Sequence, residues 1–172
     1  ASSTPAPRAK RTAGKRPNIL FVFTDQERYL RQFPAGLMLP GHERLKKTGV
    51  TFHNHHCPAV MCTSSRAVLV TGLQTADNRM FENCDMPYVK AMPTDIPTIG
   101  HLLRKAGYYA AYKGKWHLDA AFDADEPRRS FDKEMDAYGF SYFGLPVDGQ
   151  AHALGGFMQD QMIAGSAVSW LR

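Results

Sequence analysis

Three separate segments of this sequence carry side chains that could act together on an anionic substrate. Asp25 and Gln26 follow an apolar run, Cys62 begins a Cys-Thr-Ser-Ser-Arg run, and Lys115 and His117 flank a tryptophan. A thiol can serve as a nucleophile or its precursor, cationic side chains bind oxyanions, and carboxylate or amide oxygens suit hard divalent cations. The combination indicates chemistry on a tetrahedral oxyanion.

Cys62 is predicted to open a helix, because the residues after it are typical of helix starts and Gly72 lies just past the apolar stretch. A helix N-terminus directs unpaired N–H groups and partial positive charge at an anion held there. Arg66, four residues on, shares the helix face of Cys62 and adds forked donors suited to an oxyanion. The alternative is a buried structural cysteine.

The other two segments also have ordinary alternatives. Asp25 is expected at the carboxyl end of a buried strand, where it could bind a metal or only cap a helix. Lys115 and His117 alternate with Trp116, so a continued strand would project both polar side chains to one side. The alternative is an edge strand whose Lys and His face solvent.

The elements that must position these residues alternate between strands and helices. We expect strands at residues 18–23, 50–56 and 108–115, and helices at residues 41–48, 62–71, 97–107 and 157–172. Residues 119–150 are acidic, aromatic and rich in turn formers without clear periodicity. This order predicts an α/β fold with a mostly parallel sheet between helices, and ligands collect at the carboxyl ends of such strands.

Composition indicates a globular chain with a basic tail. The 172 residues are 44% hydrophobic and 22% charged, which is ordinary for a domain with its own core. Five of the 21 basic residues lie in residues 1–16, and without them 16 basic and 16 acidic residues remain. Residues 1–16 are therefore expected to be a disordered leader or linker, and a nucleic-acid partner is not expected.

No apolar run is long enough to span a bilayer. A start in small residues followed by a polar tail favours a periplasmic or secreted location, with the cytoplasm as the alternative. Three cysteines cannot all pair within the chain, so at least one is free, modified or joined elsewhere. A zinc site at His53, His55, His56 and Cys57 is an alternative use for one of them, although no second ligand cluster has the usual spacing.

In order and spacing, Asp25 after a strand, Cys62-x-x-Ser65-Arg66 opening a helix, and the later Gly-Lys-Trp-His run resemble the sulfatase family, over about residues 17–118. The resemblance implies an alkaline-phosphatase-like α/β fold. Residues 17–172 would be the N-terminal part of the catalytic domain, and residues 1–16 a leader or linker.

The resemblance also implies a function and its partners. A formylglycine-generating enzyme would oxidise Cys62 to formylglycine, whose hydrate attacks the sulfur of a sulfate ester on a small molecule or glycan. Asp25, Gln26 and the modified Cys62 would bind calcium or magnesium. Arg66 and His117 would contact the hydrate, and Lys115 a sulfate oxygen.

The sequence departs from the family pattern at three points. Ser64 stands where proline is common, Gln26 stands where a second Asp is common, and the family's remaining metal ligands have no counterpart in this chain. The chain by itself is therefore expected to be inactive. Two alternatives stay open: a phosphonate monoester or phosphodiester hydrolase using the same modified cysteine, and a non-catalytic truncated sulfatase-like module.

Overall fold

The computed structural model describes residues 16–122, 131–144 and 153–172. The chain divides into two units, Ala1–Thr51 and Phe52–Arg172. Apart from Arg16, the expected leader lies outside the described residues. None of the helices in the described ranges is long and apolar enough to cross a membrane. In chain order the described elements are α1 (Pro40–Thr48), α2 (Cys62–Thr71), α3 (Thr75–Asn78), α4 (Ile99–Lys105), β1 (Ala111–Lys113), a 3-10 turn (Ala120–Phe122), α5 (Asp132–Ala137), β2 (Tyr142–Gly144) and α6 (Ala153–Leu171).

The first unit contains one predicted helix and lacks the predicted strand. Helix α1 begins with Pro40 and ends at Gly49, whose N–H donates to the Leu45 carbonyl, so the prediction for residues 41–48 is confirmed. The strand expected at residues 18–23 is not formed, and its apolar side chains from Ile19 to Phe23 are 47–76% exposed. A strand exists only through pairing, and no strand in the described ranges pairs with this segment.

The second unit holds a parallel strand pair. β1 pairs with β2 with Ala111 opposite Tyr142 and Lys113 opposite Gly144, which agrees with the predicted parallel arrangement. The strand predicted at residues 108–115 is therefore present but shorter, because Gly114 turns the backbone to a φ of 95°. The strand predicted at residues 50–56 is not formed.

The helices of the second unit largely follow the sequence signals. Helix α4 starts after Thr98, whose side chain accepts hydrogen bonds from the N–H groups of Gly100 and His101, and the chain turns at Gly107 with a φ of 82°. Helix α6 begins four residues before the predicted 157–172 span. Helix α5 and strand β2 fall within residues 119–150, where the sequence has no clear periodicity, so neither element was predicted.

An aromatic core centres on Trp116, which is almost fully buried. Its ring lies 5.2 Å from that of Tyr112, 5.0 Å from Tyr138 and 5.9 Å from Phe140, measured between centroids. Such aromatic pairs contribute about 0.5–1.5 kcal/mol each beyond their burial. Helix α2 joins the same core through Ala67. The core therefore fixes the backbone on both sides of Trp116.

Candidate active site

Cys62 is the first residue of α2, as the sequence predicts, and the helix ends at Gly72 in the left-handed conformation. The cysteine is free and half-buried. Met61 stands at the N-cap and makes no side-chain cap hydrogen bond. The N–H of Thr63 instead donates to Asn83 Oδ1 at 3.2 Å. Asn83, a loop residue, thus satisfies one of the backbone N–H groups that have no acceptor within the helix.

Two buried side chains of α2 bind the backbone around Trp116. Arg66 Nη1 donates to the Lys115 carbonyl at 2.7 Å, and Thr63 Oγ1 donates to the His117 carbonyl at 2.7 Å. The Tyr112 hydroxyl donates to the same Lys115 carbonyl at 2.6 Å. The structure therefore brings the Cys62 helix start and the Lys115–His117 segment together. These are two of the three segments that the sequence predicts to act together.

Arg66 has a structural contact that the sequence did not predict. Its side chain was assigned to the oxyanion, but the residue is only 6% exposed and one guanidinium nitrogen is used by the protein backbone. A guanidinium has five N–H donors, so one group can brace the backbone and still offer donors elsewhere. Arg66 therefore positions Lys115 whatever else it binds.

His117 occupies a buried and conformationally unusual position. It is 8% exposed, its backbone φ is 54°, and its Nε2 lies 3.9 Å from Asp85 Oδ1. The alternative of an edge strand with solvent-facing side chains is wrong for His117, and Lys115 is half-buried. The continued strand is also not formed, because β1 ends at Lys113.

Asp25 and Gln26 are exposed and belong to the first unit. Gln26 has a backbone φ of 55°, which is uncommon for a residue other than glycine. Oε1 of the next residue, Glu27, accepts a hydrogen bond from His42 Nε2 at 2.9 Å. A hydrogen bond from Thr24 and, secondarily, the nearby His42 lower the pKa of the Glu27 carboxyl. This turn therefore carries carboxylate and amide oxygens suited to a hard cation.

The described residues do not complete a metal site. Across residues 16–122, 131–144 and 153–172, no group of three or more His, Cys, Asp or Glu side chains is placed to hold an ion. Asp25 and Gln26 fit calcium or magnesium by donor chemistry but not as a full ligand set. The zinc alternative fails the same test, since His56 contacts Asn54 and the Cys57 thiol donates to the Ala59 carbonyl.

Several residues that shape this site were missed by sequence reasoning. Each of them contacts a predicted residue or its neighbour, through backbone atoms or, for Asp85, through the His117 ring: Thr63, Asn83, Asp85 and Tyr112. Thr63 lies inside the Cys-x-x-Ser-Arg run, and its position next to Cys62 was the available signal. Asn83 and Asp85 lie in a loop without periodicity, where no local pattern marks them.

Comparison with known proteins identifies the family of the chain. The sequence model of the family described as Sulfatase matches residues 17–172, and the chain belongs to that family. It is 36% identical over 111 residues to a choline-sulfatase from Rhizobium meliloti (strain 1021). The aligned residues make up 62% of this chain and 20% of that protein.

Two further relatives have the same character. An ulvan-active sulfatase from Formosa agariphila is 34% identical over 124 residues, covering 68% of this chain and 23% of the relative. Arylsulfatase G of Rattus norvegicus is 32% identical over 104 residues, covering 60% of this chain and 18% of the relative. The matches thus span about a fifth of the length of these curated relatives. No solved structure matches the chain significantly.

Proposed function

We propose that this chain is part of an enzyme that hydrolyses sulfate esters, with Cys62 as the precursor of a formylglycine nucleophile. The observation that carries the proposal is the attachment of the α2 start to the Lys115–His117 segment through Arg66 and Thr63, each at 2.7 Å. That attachment places a helix N-terminus and a cationic segment on neighbouring backbone. Membership of the sulfatase family supports the choice of sulfate.

Each residue of the pair of segments has a chemical role in this proposal. The positive end of the α2 dipole and the Lys115 ammonium would attract the sulfate oxygens and the charge that develops on them. The half-buried position of Cys62 would keep the converted side chain accessible to a substrate while limiting water around it. His117 would hold or move a proton of the nucleophile, a role suited to imidazole.

Asp25 and Gln26 would hold calcium or magnesium with ligands from outside the described residues. The chemistry that such a cation supplies is stabilisation of negative charge on an oxyanion. An Asp25→Ala variant should lose bound metal and activity together, whereas Asp77→Ala, at an exposed helix position, should change neither. Normal metal content in the Asp25→Ala protein, measured by elemental analysis, would contradict the assignment.

The experiment for Cys62 is conversion followed by assay. The protein containing this chain is produced with a formylglycine-generating enzyme, and the peptide bearing residue 62 is examined by mass spectrometry for the aldehyde. Turnover of an aryl sulfate is then compared with turnover of an aryl phosphonate ester. Cys62→Ala should abolish turnover, and Cys57→Ala, which changes an exposed cysteine nearby, should retain it.

Two outcomes would overturn parts of the proposal. An unmodified thiol at Cys62 would show that Ser64, in place of the common proline, blocks maturation. Preferential cleavage of the phosphonate would replace the sulfate substrate with the alternative from the same superfamily.

A further inference from the structure

Thr63 is a fully buried polar residue next to the proposed nucleophile. It is 0% exposed, its hydroxyl donates to the His117 carbonyl at 2.7 Å, and it accepts from the Cys84 N–H at 3.1 Å. Its own N–H donates to Asn83 Oδ1 at 3.2 Å. One short side chain therefore joins the α2 start to two segments that are distant in sequence.

The contact with His117 falls on a backbone that needs support. A residue other than glycine at a φ of 54° is held in a sparsely populated conformation. Such conformations persist where surrounding contacts fix them. The hydrogen bond from Thr63 Oγ1 fixes the carbonyl of this very residue.

The loop on the other side of Thr63 reaches the same histidine. Cys84 binds the Thr63 hydroxyl through its N–H, and the following residue, Asp85, places Oδ1 3.9 Å from His117 Nε2. Thr63 is therefore bonded to the His117 backbone and to the loop that carries the carboxylate facing the His117 ring. A change at Thr63 would alter both the backbone and the environment of that imidazole.

We propose that Thr63 is a positioning residue, whose hydroxyl sets the location of the His117 imidazole relative to Cys62. The inference rests on the proposed function, because a positioned His117 matters for turnover only if Cys62 supplies the nucleophile. The interatomic contacts that define the role do not depend on the substrate. Thr63 can thus be tested apart from catalysis.

The primary experiment measures the histidine rather than activity. The protein containing this chain is labelled with ¹³C-histidine, the His117 signal is assigned by its loss in His117→Gln, and its chemical shift is compared between variants at one pH. Thr63→Val is nearly isosteric but lacks the hydroxyl, and should move the His117 shift. Thr63→Ser keeps the hydroxyl and should restore it.

A matched control lies on the same helix. Thr71 is half-buried, and its hydroxyl donates to the Ala67 carbonyl at 2.6 Å within α2 and accepts from the Leu73 N–H at 3.1 Å. Thr71→Val makes the same chemical change and should leave the His117 signal unchanged. A Thr63→Val protein that loses stability but keeps the wild-type His117 chemical shift would overturn the proposal.

Activity supplies the second arm. In the formylglycine-bearing enzyme, Thr63→Val should lower kcat for an aryl sulfate by tenfold or more with little change in KM, and Thr63→Ser should recover most of it. If the wild-type enzyme does not cleave sulfate esters, the proposed function fails while the histidine measurement still decides the role of Thr63. If Thr63→Val does not fold, a folded Thr63→Ser protein with a displaced His117 signal would overturn the proposal.

Discussion

At the scale of single residues, charged and polar side chains on the Cys62 helix and around it donate hydrogen bonds to backbone carbonyls. Arg66 is buried and donates to the carbonyl of Lys115, which also accepts from the Tyr112 hydroxyl. A carbonyl that accepts two hydrogen bonds, one of them charge-assisted, is held firmly. The position of the Lys115 backbone therefore depends on Arg66.

Replacing Arg66 with lysine should lower the free energy of unfolding by about 1–3 kcal/mol, since a charge-assisted hydrogen bond to a buried acceptor is weakened. Denaturant titration measures the effect. Arg104→Lys is the control, because Arg104 pairs with Asp136 at a more exposed site and exposed pairs contribute about 1 kcal/mol or less. Equal losses in the two variants would contradict a bracing role for Arg66.

Tyr138 is expected to make the free energy of unfolding fall at alkaline pH. Burial, followed by the nearby Asp119 and Cys84, raises the pKa of the Tyr138 phenol well above its ordinary value of 10.0, and its hydroxyl donates to the Met92 carbonyl. The folded state therefore favours the neutral phenol. Its contribution to stability is fully present below about pH 10 and is lost as pH rises further.

The unfolding midpoint in denaturant should consequently fall above about pH 10, and Tyr138→Phe should flatten that part of the profile while lowering stability at neutral pH. Tyr88→Phe, at an exposed tyrosine, should reproduce the wild-type profile. A profile for Tyr138→Phe as steep as that of the wild type would assign the alkaline loss to other groups.

At the scale of elements, two glycines allow α4 to approach the turn that follows α5. A Cβ built on Gly100 would lie 2.7 Å from the Gly139 carbonyl oxygen, and one on Gly139 would collide with the His101 backbone. Gly139 also has a φ of 84°, which side-chain-bearing residues rarely adopt. The Thr98 hydroxyl donates to the Tyr138 carbonyl at 2.6 Å and closes the same junction.

Gly139→Ala should therefore destabilise the second unit by about 3 kcal/mol or more, because rigid backbone would have to move. Gly165→Ala provides the opposite case, since Gly165 lies within α6 with open space around it, and should raise stability by up to about 1 kcal/mol. Thermal unfolding of both variants measures the contrast. A neutral Gly139→Ala would show that the junction is loosely packed.

At the scale of the whole molecule, the first unit leaves an apolar segment uncovered. The side chains from Ile19 to Phe23 are 47–76% exposed, although their sequence is that of a strand buried on both faces. Exposed apolar segments favour association. The chain also spans about a fifth of the length of its curated relatives.

The chain of 172 residues should therefore show no measurable aryl sulfatase activity by itself, even with Cys62 converted, and should bind a hydrophobic dye and aggregate with concentration. The described residues lack a complete metal ligand set, and a misplacement of about an ångström can reduce a rate on the order of a hundredfold. Turnover by a soluble monomer bearing the aldehyde, lost in Lys115→Ala, would contradict this expectation.

Local signals in the sequence determined helices α1, α2, α4 and α6 and the position of Cys62. Capping residues and glycine stops identified α1, α2 and α4, because a helix satisfies most of its hydrogen bonds within itself. The strand at residues 18–23 was wrong, because a strand requires a partner that the local sequence cannot supply. The roles given to Cys62, Lys115 and His117 came from the resemblance to the sulfatase family and stay predictions.

Tertiary structure decided how those residues are held. That Arg66 binds the Lys115 carbonyl and that Thr63 binds the His117 carbonyl follows from contacts between residues about fifty positions apart. The core around Trp116 and the left-handed backbone at His117 likewise arise from packing among several segments. Motifs in the sequence marked the candidate reactive groups because a motif is local, whereas the contacts that hold these groups depend on how distant segments meet.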